Sequence, residues 1–277
     1  MKFLKQSALF AGAVVLAQMA SAHYPFVAPL AYQTFNNHSA IISGFYDNPF
    51  ASEVHIKNFN FHYHTPHGEK RPIQAEQWSQ TATLSSLSLE NKMDGTYRIR
   101  GEKQGTQARF AYVDKKWKAL LSGQPKDPNK IAENVVYTSQ LKKNASIKTV
   151  QTIELIETFV SRRMINHHVI EHIHDGFDVQ FISHPNAIAA EQAIQFKVLD
   201  SKAGIADLTV EILKQTTDYS RDQKVYKTLK TNEKGELNFD LAEKGQYLLK
   251  VDYQQPFTSK SDQLKRYKYT LSFNVTD

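Results

Sequence analysis

The 277-residue chain contains no cysteine. That absence excludes a disulfide framework and a lipoprotein anchor, and it removes thiolate from any metal site the chain builds. Long apolar runs are equally missing. Beyond the first 22 residues Glu, Lys, Asp or His interrupts every one, so no later stretch reaches the roughly 20 residues that a membrane-spanning helix needs. There is no nucleophile elbow, no phosphate-cradling glycine loop and no H-E-x-x-H helix, which removes the common hydrolase, nucleotide-binding and zinc-protease signatures.

What is present begins with an export signal. Lys2 and Lys5 precede an apolar run from Ala8 to about Ala20, followed by the small-residue pattern Ala20-Ser21-Ala22. Residues 1–22 therefore read as a signal peptide cleaved after Ala22, too short to span a bilayer, which places the mature chain in the periplasm. The remaining 255 residues carry 32 Lys and Arg against 28 Asp and Glu. A small positive charge without a long basic block reads as solubility and not as nucleic-acid binding.

Alternating apolar positions dominate the rest. Strands are expected over residues 39–46, 54–64, 81–89, 97–100 and 153–160, with Ala108–Val113 returning across Gly101–Gly105 as a hairpin partner. Within 54–64, Phe59, Phe61 and Tyr63 fall on one face and Asn60, His62 and His64 on the other. His184-Pro185-Asn186 marks a boundary, after which Ile194, Phe196 and Val198, then Tyr247, Leu249, Val251 and Tyr253, alternate in the manner of an immunoglobulin-like sandwich. The expected fold is all-β: two β-sandwich-like domains, residues 23–184 and 185–277, the second immunoglobulin-like, after the cleaved signal peptide.

Eleven histidines are the compositional oddity. Cleavage after Ala22 makes His23 the first residue, whose α-amine and imidazole Nδ1 can chelate one ion. At strand spacing His62 and His64 lie on the same side about 6.5–7 Å apart, and His67 follows just past the turn. His167, His168, His172 and His174 form a third group. As a strand it would align His168, His172 and His174; as a helix it would pair His168 with His172. All-nitrogen ligation favours zinc, copper or nickel over calcium or magnesium. Each group also reads as a solvated face or loop that binds nothing specific. An N-terminal histidine joined by a second one is also the copper brace of lytic polysaccharide monooxygenases, but only His23 supports that oxidative alternative. The paired acids Glu154 and Glu157 read as a solvated strand face.

Several segments resemble the DUF 4198 (domain of unknown function) family of exported bacterial proteins, related to the substrate-specific component of nickel and cobalt uptake systems. They are His23 with Pro29, Asp94–Ile99, Ala111–Trp117, Glu157–Ser161, Gly176–Val179, Ser183–Asn186, Thr231–Gly235 and Gly245–Tyr247. The resemblance implies two β-rich domains, no enzymatic activity and a link to transition-metal acquisition; of single residues it transfers His23 alone, since His62, His64, His67 and the group at 167–174 depart from the family pattern. The expected function is a periplasmic accessory protein that binds zinc, nickel or copper through His23, His62, His64, His67, His168 and His172 and serves a membrane transporter or receptor. The alternative is a structural module that docks an envelope partner, its histidines incidental. Mass spectrometry of the exported protein tests the first step: His23 is the expected N-terminal residue, and retention of residues 1–22 overturns it.

Overall fold

A computed structural model describes residues 24–216 and 225–277. The signal segment and His23 lie outside the described residues. In chain order the first strands are β1 (Tyr24–Pro29), β2 (Gln33–Thr34), β3 (His38–Tyr46), β4 (Ser52–His55), β5 (Asn60–His64), β6 (Lys70–Ile73), β7 (Ser79–Gln80) and β8 (Ser85–Glu90). Then follow β9 (Gly95–Val113), β10 (Lys116–Leu121), β11 (Val135–Tyr137), β12 (Ile147–Arg162), a single helical turn α1 (His168–Glu171), β13 (Phe177–Phe181), β14 (Ile188–Ala189) and β15 (Ile194–Asp200). The last are β16 (Ala203–Gly204), β17 (Thr209–Lys214), β18 (Val225–Lys230), β19 (Glu236–Phe239), β20 (Gly245–Gln254) and β21 (Gln263–Thr276). The expected all-β class is what the chain adopts. Among the described residues no helix is long and apolar enough to cross a membrane.

One 12-stranded sheet runs through the middle, in the order β11-β10-β9-β12-β21-β20-β17-β18 with β2, β5, β6 and β14 attached. Its spine is β12, antiparallel to β9 on one side and parallel to β21 on the other, from Thr149↔Gln263 to Thr158↔Ser272. The sheet hydrogen bonds therefore continue across residue 184. The faces of β12 feed two different cores. Ile153, Leu155 and Phe159 join Phe177, Val179, Phe196, Tyr269 and Phe273 beneath the four-stranded sheet of β13, β15, β16 and β19. Ile156 and Val160 point the other way, to Ile41, Phe61, Leu87, Tyr97 and Ile99 beneath the five-stranded sheet of β1, β3, β4, β7 and β8.

Two local expectations are corrected. Residues 54–64 are not one strand. Asn58 adopts a left-handed φ of 60°, so β4 stays with β3 while β5 crosses to pair with β6 and β9. Nor do Gly101–Gly105 turn a hairpin, since β9 runs straight through them. Gly101 is needed for a different reason: a Cβ there would stand 2.5 Å from the Phe61 ring. The actual hairpin joins β9 to β10 through Asp114 and Lys115, at φ 53° and 63°, the left-handed pair that a two-residue type I′ connection requires.

The alternation that puts Tyr97 and Ile99 in one core puts Arg98 and Arg100 on the opposite face, opposed by Glu157 of β12. Glu157 is fully buried, which corrects its reading as a solvated acid. Arg98 Nε and Nη2 bond its two carboxylate oxygens at 2.6 and 3.1 Å, and Tyr269 donates to Oε2 at 2.6 Å. Asp178 Oδ1 accepts from Arg98 at 2.9 Å and Arg100 at 2.8 Å. Burial alone would raise the Glu157 pKa, but the two guanidinium groups hold it at about 2. Such a network resists loss of one member, because an uncompensated charge then stays in the core. Arg98→Met is expected to lower unfolding free energy by roughly 3–5 kcal/mol in urea titration; a loss under about 1 kcal/mol would show that the network is not closed.

Candidate metal centre

On β5, His62 and His64 lie on the sheet face that carries the arginines, opposite Arg100 and Arg98 respectively. Phe61 and Tyr63 occupy the other face, against the second core. The segment after β12 then folds back over this spot. α1 is a single turn, and beyond it His172 becomes extended. Arg98 Nη1 donates to the His172 carbonyl at 2.7 Å, while the His174 backbone N–H donates to Asp178 Oδ2 at 2.7 Å. The buried ion network thereby fixes the backbone at both ends of His172–His174 and sets their rings against β5.

Four imidazoles meet there. Ring centroids are 5.4 Å apart for His62 and His64, 5.9 Å for His62 and His174, 5.5 Å for His64 and His174, 4.9 Å for His64 and His172 and 4.8 Å for His172 and His174. One ring nitrogen each from His62, His64 and His174 lies within 4.8 Å of the other two. His62 Nε2, His64 Nδ1 and His174 Nε2 are all buried without a hydrogen-bond partner. Unpaired buried nitrogens are costly and rare, and three converging imidazoles that each carry one form a donor set suited to a cation.

A second triple, Glu157, His174 and Asp178, satisfies the same distance criterion, but its carboxylates are already committed. Glu157 receives Arg98 on both oxygens and Tyr269 on one, and Asp178 receives the two arginines on Oδ1 and a backbone N–H on Oδ2. The closest approach of Glu157 to the His174 ring is 3.9 Å. These acids therefore support the histidines from behind, and the three imidazoles carry the donor atoms.

The protonation states suit that role. Burial first, then Lys70, His64 and Arg100, lowers the His62 pKa to about 3. Burial, His172 and Arg98 lower His64 to about 4. His174 is pushed down further by burial and both arginines, and His172 in the same direction by burial and Arg98. At neutral pH the rings offer free lone pairs, so an incoming ion displaces no proton.

Of the residues nominated from spacing, His62, His64 and His172 come together. His67 is exposed beyond the turn. His168 lies over that same turn, its Nε2 2.5 Å from where a Gly68 Cβ would be, and outside the cluster. His174, which is not among the ligands expected from sequence, is the residue that completes the set. The available signal was a repeated spacing: His62-Tyr63-His64 and His172-Ile173-His174 are both H-x-H. His184, read as a turn residue, is buried at a second polar knot, where Nε2 meets Thr96 Oγ1 at 3.2 Å and Nδ1 accepts the Asn186 N–H at 3.0 Å. Segments noted for family resemblance thus converge in space. Arg98, Glu157 and Asp178 meet in the first network, and Thr96, Ser161, His184 and Asn186 in the second.

The chain belongs to the family described as Domain of unknown function (DUF4198), which it matches over residues 20–255. No curated protein matches it. Similar solved structures include an Escherichia coli alpha-2-macroglobulin activated by porcine elastase, at 8% identity over 90% of this chain and 20% of that one, TM-score 0.23. A DUF4785 family protein from Legionella pneumophila aligns at 7% identity over 80% of this chain and 51% of that one, TM-score 0.23. A marsupial T cell receptor aligns at 11% identity over 90% and 74%, TM-score 0.21. The chain spans about a fifth and a half of the first two. At such scores these likenesses say nothing about the site.

The buried histidines impose a pH dependence. His184 is held at about 4, chiefly by burial and then by His167. Being neutral when folded and protonated when unfolded below about 6.5, each such ring makes the unfolded chain bind more protons, so stability is full above about 6.5 and declines as pH falls toward 4. Urea titrations of metal-free protein from pH 7 to 4.5 are expected to show that decline, and His184→Gln to reduce its slope by up to about 1.4 kcal/mol per pH unit. An unchanged slope in the variant would mean that His184 is protonated in the fold.

Proposed function

We propose that this protein binds one transition-metal ion, zinc, nickel or copper, through His62, His64 and His174, and acts as a non-catalytic periplasmic accessory in metal uptake or buffering. The observation that carries the reading is the convergence of three neutral imidazoles, each with a buried ring nitrogen that has no hydrogen-bond partner. Imidazole donors without thiolate or free carboxylate suit borderline ions and discriminate against calcium and magnesium. His172, exposed at the rim and within 5 Å of two of the rings, is placed to receive an ion from solvent. His23 keeps the role expected of a free N-terminal chelator, additional to this site and outside the described residues. The export signal and the resemblance to nickel and cobalt uptake components supply the setting.

A structural or interaction module is the second reading, favoured by one observation: Arg98, Arg100, Glu157 and Asp178 satisfy one another without any ion. Metal titration separates the two. Untagged protein with its native N-terminus, titrated by calorimetry with zinc, nickel and copper, is expected to bind one equivalent with sub-micromolar affinity. His62→Ala and His174→Ala should each weaken binding by more than the about 10–100-fold that outer-layer changes cost, whereas His67→Ala and His168→Ala should change it little. A one-residue N-terminal extension reports on His23 independently. Binding no tighter than that of scattered surface histidines, or indifferent to His62 and His174, sinks the metal reading.

A further inference from the structure

The far end of the β9–β12 ribbon, bearing β10 and β11, is separate from the histidine cluster and has two small apolar clusters of its own. One joins Phe110, Val150 and Leu264, and the other Ala111, Leu120 and Val136. This end also holds most of the unbalanced charge. Residues 105–148 contain nine Lys and Arg against three Asp and Glu, whereas the rest of residues 24–277 contains 23 against 25. The small surplus that looks dispersed along the chain is therefore concentrated in one lobe.

Its cations are free to act. Arg109, Lys115, Lys126, Lys142 and Lys143 are exposed and make no ion pair with the described residues. They come from four separate connections and strand positions around β10, so they form a broad field and not a pocket. Eight of the nine basic residues are lysine. Lysine is a flexible, hydrated point charge, while arginine supplies the planar fork used for bidentate phosphate recognition. The β9–β10 hairpin carries exposed apolar groups, Tyr112 at 47% and Leu121 at 41% exposure. Tyr112 packs beside Trp117 at 5.3 Å, a side chain that is apolar in body and polar at the tip, as at a membrane–water interface.

We infer that this basic lobe docks the protein on an anionic phospholipid surface, held by diffuse attraction to headgroups with Tyr112 and Leu121 entering the interfacial layer. The chemistry fits a flat polyanion with an apolar interior better than a folded acidic partner, which would present carboxylates at fixed points and call for complementary ion-pair geometry. The inference is independent of metal binding, since none of the residues concerned touches the histidine cluster.

Co-sedimentation of the exported chain, residues 23–277, with phosphatidylglycerol-containing vesicles, against vesicles of phosphatidylcholine alone, tests it. Binding is expected to the anionic vesicles only, to fall as salt rises, and to weaken about ten-fold or more in Lys142→Glu/Lys143→Glu. Circular dichroism verifies that this exposed double variant folds, and Lys115→Glu/Lys126→Glu should weaken binding comparably, as a distributed field requires. Tyr112→Ser should reduce binding without altering its salt dependence. No sedimentation with anionic vesicles, equal sedimentation with both kinds, or binding to polyglutamate in their place overturns the inference, the last result identifying an acidic polypeptide as the partner.

Discussion

The constraint on which the rest depends is the burial of Arg98. A guanidinium cannot shed its charge in a protein, and this one has no access to water. It packs beside the rings of Phe159 and Phe181, 5.6 Å from each centroid, so the fold has to bring carboxylates to it. Glu157 arrives from the neighbouring strand β12, and Asp178 from β13 in the opposing sheet. The consequence is architectural. The ion network ties two sheets together at one point and dictates how β13 sits over the central sheet. Because Arg98 has donors left over, it also collects the His172 carbonyl.

That surplus donor links stability to the site. The segment between β12 and β13 has one helical turn and little regular hydrogen bonding of its own, yet Arg98 holds it at His172 and Asp178 holds it at His174. The rings of that segment meet β5 because their backbone is pinned, and His62 and His64 are presented because β5 pairs with the very residues, Arg100 and Arg98, that do the pinning. Fold and site share the same atoms. A change at Arg98 therefore acts on the histidines through position, even though the guanidinium and the imidazole nitrogens are different groups.

Much of this was legible in the chain, and the illegible part has a definite cause. Alternation places Phe61 and Tyr63 opposite His62 and His64 correctly, and the strand patterns of Ile194–Val198 and Tyr247–Tyr253 become β15 and β20. Period-2 patterning is local, so it survives without knowledge of partners. It fails where a long-range contact overrides a local cue. Gly101 and Gly105 look like a turn, but the first is small because the Phe61 ring covers it. Glu157 looks solvated, since on its own strand nothing shows that two arginines 57 and 59 residues earlier face it. Local pattern does not single out His174, because its ring contacts with His62 and His64 span more than a hundred residues. Its H-x-H spacing, the same as that of His62 and His64, was the only local hint.

The charge balance behind the histidines bears on which ions such a centre would accept. Two guanidinium groups and two carboxylates balance in formal charge, but the arginines, with Lys70 beside His62, still disfavour positive charge at His62 and His174, so the layer beneath offers a cation no anionic attraction. Calcium and magnesium rely on anionic oxygens to offset their dehydration, and here both oxygens of Glu157 and of Asp178 are already bonded to a donor. Zinc, nickel and copper gain instead from the covalency of neutral nitrogen donors, which needs no local negative charge. The arginines therefore do more than brace the backbone. By occupying Glu157 and Asp178 they withdraw oxygen ligands that a hard ion would need, so that an ion bound there would be selected by the imidazoles.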